Sequence, residues 1–161
     1  MGYGSKSLNE LRDECLSIAV AHQFTDATPG EDVALMHTEL SEAMEDIRDG
    51  VDLTAVWYEE KVPLMVSDIM FMGEGQPDRQ VVMDGKPMWR TIRHDHPYPK
   101  LPGGGWDVNH PYKPCGVPSE MADELIRVLH FCGKHHIDIE RVFREKMAYN
   151  ETRPIKHGRK L

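Results

Sequence analysis

His37-Thr38-Glu39-Leu40-Ser41-Glu42-Ala43 sets two carboxylates three residues apart. Pro118-Ser119-Glu120-Met121-Ala122-Asp123-Glu124-Leu125 does the same with Glu120 and Asp123. At 3.6 residues per turn, residues three apart share a helical face, so each run presents a pair of acids side by side. If the two helices face each other, four anionic groups converge. Such a cluster repels itself unless cations neutralise it. Oxygen-only ligands suit Mg²⁺, with Mn²⁺ as a substitute, and disfavour Zn²⁺.

The surrounding pattern is helical. Ser7-Leu8-Asn9-Glu10 reads as a capping box opening a first helix with Leu8, Leu11, Cys15, Ile18 and Ala19 on one stripe. Thr28-Pro29-Gly30-Glu31 is a second box, with proline at the first helical position. Val33, Met36, Leu40, Ala43, Met44 and Ile47 mark the expected buried face of that helix, and Asp49-Gly50 ends it. Helix resumes at Pro118 with a broad apolar arc centred on Met121, Leu125, Val128 and Cys132, wide enough to face several helices or a second subunit. A last helix begins near Asp138, with Ile139, Val142 and Phe143 expected to face inward. Between the helical pairs, prolines and glycines are dense, and Gln80 to Trp89 predicts a hairpin around Asp84-Gly85 with Pro87 at an edge. The expected architecture is mostly α: a four-helix-type bundle forming one domain over residues 1–161. It carries a β or irregular insertion at about residues 61–113 and a basic tail at about residues 152–161.

Lys146 and Asn150 fall on the same wheel position as Ile139, and Arg153 continues the line. A lysine on a buried stripe needs a counter-charge. Phosphate held by the acid cluster would supply it to Lys146, with Asn150 and Arg153 binding further phosphate or sugar oxygens. The plainer alternatives are a snorkelling lysine, solvated acids on Glu39 and Glu42, and an Asp123–Arg127 pair at i, i+4. The histidines His94, His96 and His110 lack the spacing of a zinc site.

A net charge of −8 argues against a general nucleic-acid binder. Arg153, Lys156, Arg159 and Lys160 form an acid-free tail that suits a small polyanion. Three cysteines without CxxC spacing, no signal-like segment and no span-length apolar run point to a cytoplasmic protein away from the membrane.

Together, the runs around Glu39–Glu42, Glu120–Asp123 and Lys146–Gly158 resemble the MazG-type all-α NTP pyrophosphohydrolases. The three motifs stand in the family's order, and the match covers both helical pairs, about two thirds of the chain. The resemblance implies Mg²⁺-dependent cleavage of (d)NTPs between the α and β phosphates, giving (d)NMP and pyrophosphate. It assigns metal binding to Glu39, Glu42, Glu120 and Asp123, and phosphate binding to Lys146 and Asn150. It also implies a homodimer or homotetramer that shares its active sites. Glu39 or Glu42 is expected to take a proton from the attacking water. Two departures stand out: Thr38 replaces the family's usual first glutamate, and the link between the acid pairs is unusually long. A phosphoribosyl-ATP pyrophosphohydrolase and a non-catalytic helical binding or regulatory protein remain alternative readings. A ferritin-type di-metal bundle would need Glu-x-x-His ligands that neither run contains.

Overall fold

The computed structural model describes residues 5–70, 72 and 78–154. Most of the basic tail, including Lys156, Arg159 and Lys160, lies outside them. The chain divides into two compact units, Met1–Glu45 with Glu120–Leu161, and Asp46–Ser119.

The first unit holds the helices, whose ends follow local chemistry. α1 (Leu8–Ala21) begins at the expected capping box, with the Ser7 hydroxyl accepting from the Glu10 amide and Glu10 accepting from the Ser7 amide. α2 (Pro29–Arg48) begins the same way, with Glu31 accepting from the Thr28 amide at 2.7 Å. α3 spans Val117–Lys134, and α4 (Ile139–Glu151) is capped by Asp138, which accepts from the Arg141 amide.

α1 and α4 meet at their N-terminal ends. There the Leu8 amide donates to Glu140 at 2.7 Å and the Asn9 side chain donates to Asp138 at 2.8 Å. α3 approaches α1 at Gly133, where an added Cβ would lie 3.0 Å from the Leu16 Cβ. α2 and α3 are tied antiparallel by Asp32–Lys134 and Glu39–Arg127.

The second unit is built on an antiparallel sheet of order β4-β1-β5, comprising β1 (Trp57–Pro63), β4 (Trp89–His94) and β5 (Lys113–Cys115). Tyr58 faces His94 on one side and Pro114 on the other. The expected hairpin is present as β2 (Val82–Met83) and β3 (Lys86–Pro87), turning through Asp84 at φ 49° and Gly85 at φ 74°. In this two-stranded sheet Pro87 does sit on an edge.

These two sheets overturn the expected four-helix-type bundle: the fold is α+β. Strand pairing begins at Trp57, so ordered β structure opens before the expected insertion boundary near residue 61. The helices also do not close around a common apolar core. Among the described residues, the buried apolar side chains of the first unit are Ala19, Ala43, Leu129 and Cys132. On α2 the periodicity is real, yet Val33, Leu40, Met44 and Ile47 are exposed, as are Met121, Leu125 and Ile126 on α3.

Gly116 has φ 102°, and a Cβ there would stand 2.5 Å from the Ala55 carbonyl oxygen and 2.8 Å from the Trp57 ring. Gly116→Ala is therefore expected to destabilise the protein by about 2 kcal/mol or more through backbone strain and overpacking. Gly103→Ala, with open space around the added carbon, is the control. Equal denaturation midpoints for the two variants would contradict this.

Candidate metal and phosphate site

α2 and α3 bring three carboxylates together. Glu39 lies mid-way along α2, Glu120 in the first turn of α3, and Asp123 one turn further on. One ligand oxygen from each lies within 4.8 Å of the others. Glu39 and Glu120 are each only 6% exposed, and Asp123 is half-buried. The antiparallel clamp explains how positions so distant in sequence meet. Lys134 of α3 donates to Asp32 of α2 at 3.0 Å and to the Ala27 carbonyl, and Arg127 donates to Glu39. The donor set is entirely oxygen, which fits Mg²⁺ or Mn²⁺. The α3 N-terminus adds a positive dipole end beside Glu120.

The other expected site residues are placed differently. Glu42 is exposed on α2, outside the group of three. Lys146, Asn150 and Arg153 are also exposed, and so are Val142 and Phe143, which were expected to face inward. The Lys146 Nζ lies 5.3 Å from the centre of the Tyr149 ring, and the Arg153 guanidinium lies 5.8 Å from it. The helix is anchored through Asp138 and Glu140, so its later turns are not covered by α1. The burial that gave Lys146 its need for phosphate is therefore absent from the single chain.

Two residues that the sequence did not single out as functional complete the site. Arg127 reaches from α3 to Glu39 across the clamp. His130, one turn further on, lines an open cavity of about 580 Å³ together with Asp123 and Arg127. Ile18, Phe24 and Ile126 supply apolar wall to the same cavity. That volume lies within the usual range for small-molecule sites. The His130 Nε2 is buried without a hydrogen-bond partner among the described residues. The only clue in the sequence was the spacing of Asp123, Arg127 and His130 along one helical face.

The insertion's histidines pack against aromatic rings: His94 stacks on Tyr112 at 3.9 Å and His96 on Trp106 at 3.4 Å. Among the described residues, neither joins a cluster of metal-ligating groups. Trp57 is covered by Arg93 at 4.3 Å and donates to Glu59, so its face and its N–H are both engaged.

Burial holds the His130 imidazole below its usual pKa of 6.5; Asp32 opposes the shift, while Lys134 and Arg127 add to it. The unfolded chain therefore takes up this proton more readily than the folded one. The resulting stability is full above about pH 6.5 and is lost as pH falls towards the folded pKa. A proton NMR titration is expected to place His130 below the free-imidazole value, and His130→Gln to flatten the acid limb of stability below about pH 6.5. A His130 midpoint at or above 6.5 would contradict the burial argument.

Among the described residues, no helix is long and apolar enough to cross a membrane. No family model, no curated protein and no solved structure matches the chain.

Proposed function

We propose that this protein is a divalent-cation-dependent hydrolase that cuts nucleoside triphosphates between the α and β phosphates. The observation that carries the reading is the meeting of Glu39, Glu120 and Asp123 from two helices, beside a cavity of nucleotide size. The resemblance of the three acid and lysine motifs to the MazG-type pyrophosphohydrolases supports it and supplies the expected products, (d)NMP and pyrophosphate.

In this mechanism Glu39, Glu120 and Asp123 hold the cation. A cation held there would supply Lewis acidity to the triphosphate and a lowered pKa to an attacking water. With Glu39 engaged by the cation, the exposed Glu42, one turn further along α2, would accept the water's proton. The cavity would orient the nucleoside half of the substrate. Lys146, Asn150 and Arg153 reach phosphate only by way of a neighbouring subunit. The exposed apolar stripes of α2 and α3 favour such a homodimer or homotetramer. A cytoplasmic setting, where nucleoside triphosphates and Mg²⁺ are abundant, fits this chemistry.

One observation favours the non-catalytic alternative: Arg127 already gives Glu39 a counter-charge, as it would in a purely structural ion pair. Product analysis separates the readings. With Mg²⁺ and a panel of NTPs and dNTPs, the wild type is expected to release monophosphate and pyrophosphate. Asp123→Asn and Glu120→Gln are each expected to lower turnover by roughly 10²–10³-fold with unchanged helicity, the loss of several kcal/mol of transition-state stabilisation. Diphosphate with inorganic phosphate, or wild-type turnover in both variants, would remove this function. Phosphoribosyl-ATP included in the panel tests the related pyrophosphohydrolase reaction.

A further inference from the structure

Arg127 occupies an unusual position in the clamp. Its side chain is 39% exposed, whereas that of Glu39, its partner, is 8% exposed. The guanidinium can thus turn towards solvent at small cost, but the carboxylate cannot follow. A buried carboxylate stripped of its cation is strongly disfavoured, so Arg127 leaves Glu39 readily only when another cation takes its place. Arg127 also lines the 580 Å³ cavity, alongside the acids Asp26, Asp32 and Asp123, and is the one lysine or arginine among the described residues lining it. Asp32 is already held by Lys134. An anionic ligand entering this cavity therefore has one side-chain cation to meet. The planar guanidinium fork matches two phosphate oxygens. One turn along α3 from Arg127, the unpaired His130 Nε2 adds a polar group to the same cavity. Asp123 and His130 are seven residues apart on α3, roughly 10 Å along the axis, comparable with the span from phosphate to base in one nucleotide.

We propose that Arg127 is a phosphate-binding residue exchanged between two anions: it pairs with Glu39, and it passes to the phosphate of a nucleotide in the cavity as a divalent cation takes over the carboxylate. The inference rests on the hydrolase reading above and adds a coupling to it. Because one side chain serves both anions, metal and nucleotide each strengthen the binding of the other, as linkage requires.

The test is calorimetry with Mn²⁺ alone and with an α,β-methylene nucleoside triphosphate, in the absence and presence of Mn²⁺. It compares wild type, Arg127→Ala and Arg127→Lys, with circular dichroism to verify folding. In Arg127→Ala, Mn²⁺ is expected to bind roughly tenfold tighter, because a competing cation is gone. The triphosphate analogue is expected to bind roughly tenfold weaker, and its dependence on Mn²⁺ to shrink; each tenfold corresponds to about 1.4 kcal/mol. A merely structural strut gives the opposite sign for the metal, since its loss would loosen the cluster. Weaker or unchanged Mn²⁺ binding, or unchanged analogue binding, in Arg127→Ala overturns the proposal while leaving the hydrolase reading intact. If Arg127→Ala does not fold, Arg127→Lys decides. It keeps the charge and loses the fork, so Mn²⁺ affinity should hold while analogue affinity falls, and unchanged analogue affinity overturns the exchange. A wild type that binds neither Mn²⁺ nor the analogue removes both the inference and the reading beneath it.

Discussion

Two buried acids on α2, Asp32 and Glu39, each meet a cation carried by α3, Lys134 and Arg127 respectively. Seven residues separate the partners on either helix, so the two contacts also fix an antiparallel register. Burial makes the pairing obligatory: an unpaired carboxylate at this depth costs several kcal/mol. With few apolar side chains buried between the helices, the ion pairs carry much of the specificity of this packing. Their register delivers Glu39 to the start of α3, where Glu120 and Asp123 stand.

The helical unit is left with more apolar surface than its own packing uses. Val33, Leu40, Met44 and Ile47 on α2 form a stripe of the kind that globular helices bury, as do Met121 and Leu125 on α3. A cluster of anions held by a thin core gains from such surfaces being covered, because lower local dielectric strengthens every interaction between the carboxylates and a cation. The same covering would give the exposed line of Lys146 and Asn150 a site to serve. Assembly and chemistry are thereby joined in the proposed function.

Much of the local structure was legible from short-range chemistry. Ser7 with Glu10 and Thr28 with Glu31 announce their helix starts because each cap is completed within four residues. Asp84-Gly85 announces its turn because both residues must take positive φ. Spacing set each acid pair on one helical face, and Glu39 does meet Glu120 and Asp123, but Glu42 stands exposed outside the group because a shared face does not fix which of its residues a neighbouring helix covers. What escaped the sequence was non-local. Trp57–Pro63 carries charged residues at its centre and becomes a strand by pairing with the distant segments Trp89–His94 and Lys113–Cys115. Arg127 looked like a local partner for Asp123, yet it reaches Glu39 across 88 positions. Lys146 was misplaced for a geometric reason: a helical wheel gives the angle of a side chain and leaves open which angle a neighbour covers.

The central claim is that acids from α2 and α3 form one cation site. Anomalous diffraction from crystals grown with Mn²⁺ tests it most directly. The expected result is a single strong peak within about 2.0–2.3 Å of oxygens from Glu39, Glu120 and Asp123, the distance that oxygen-ligated divalent ions of this size adopt. Density that leaves the three carboxylates without a shared peak, with Arg127 still seated on Glu39 at saturating Mn²⁺, would contradict it.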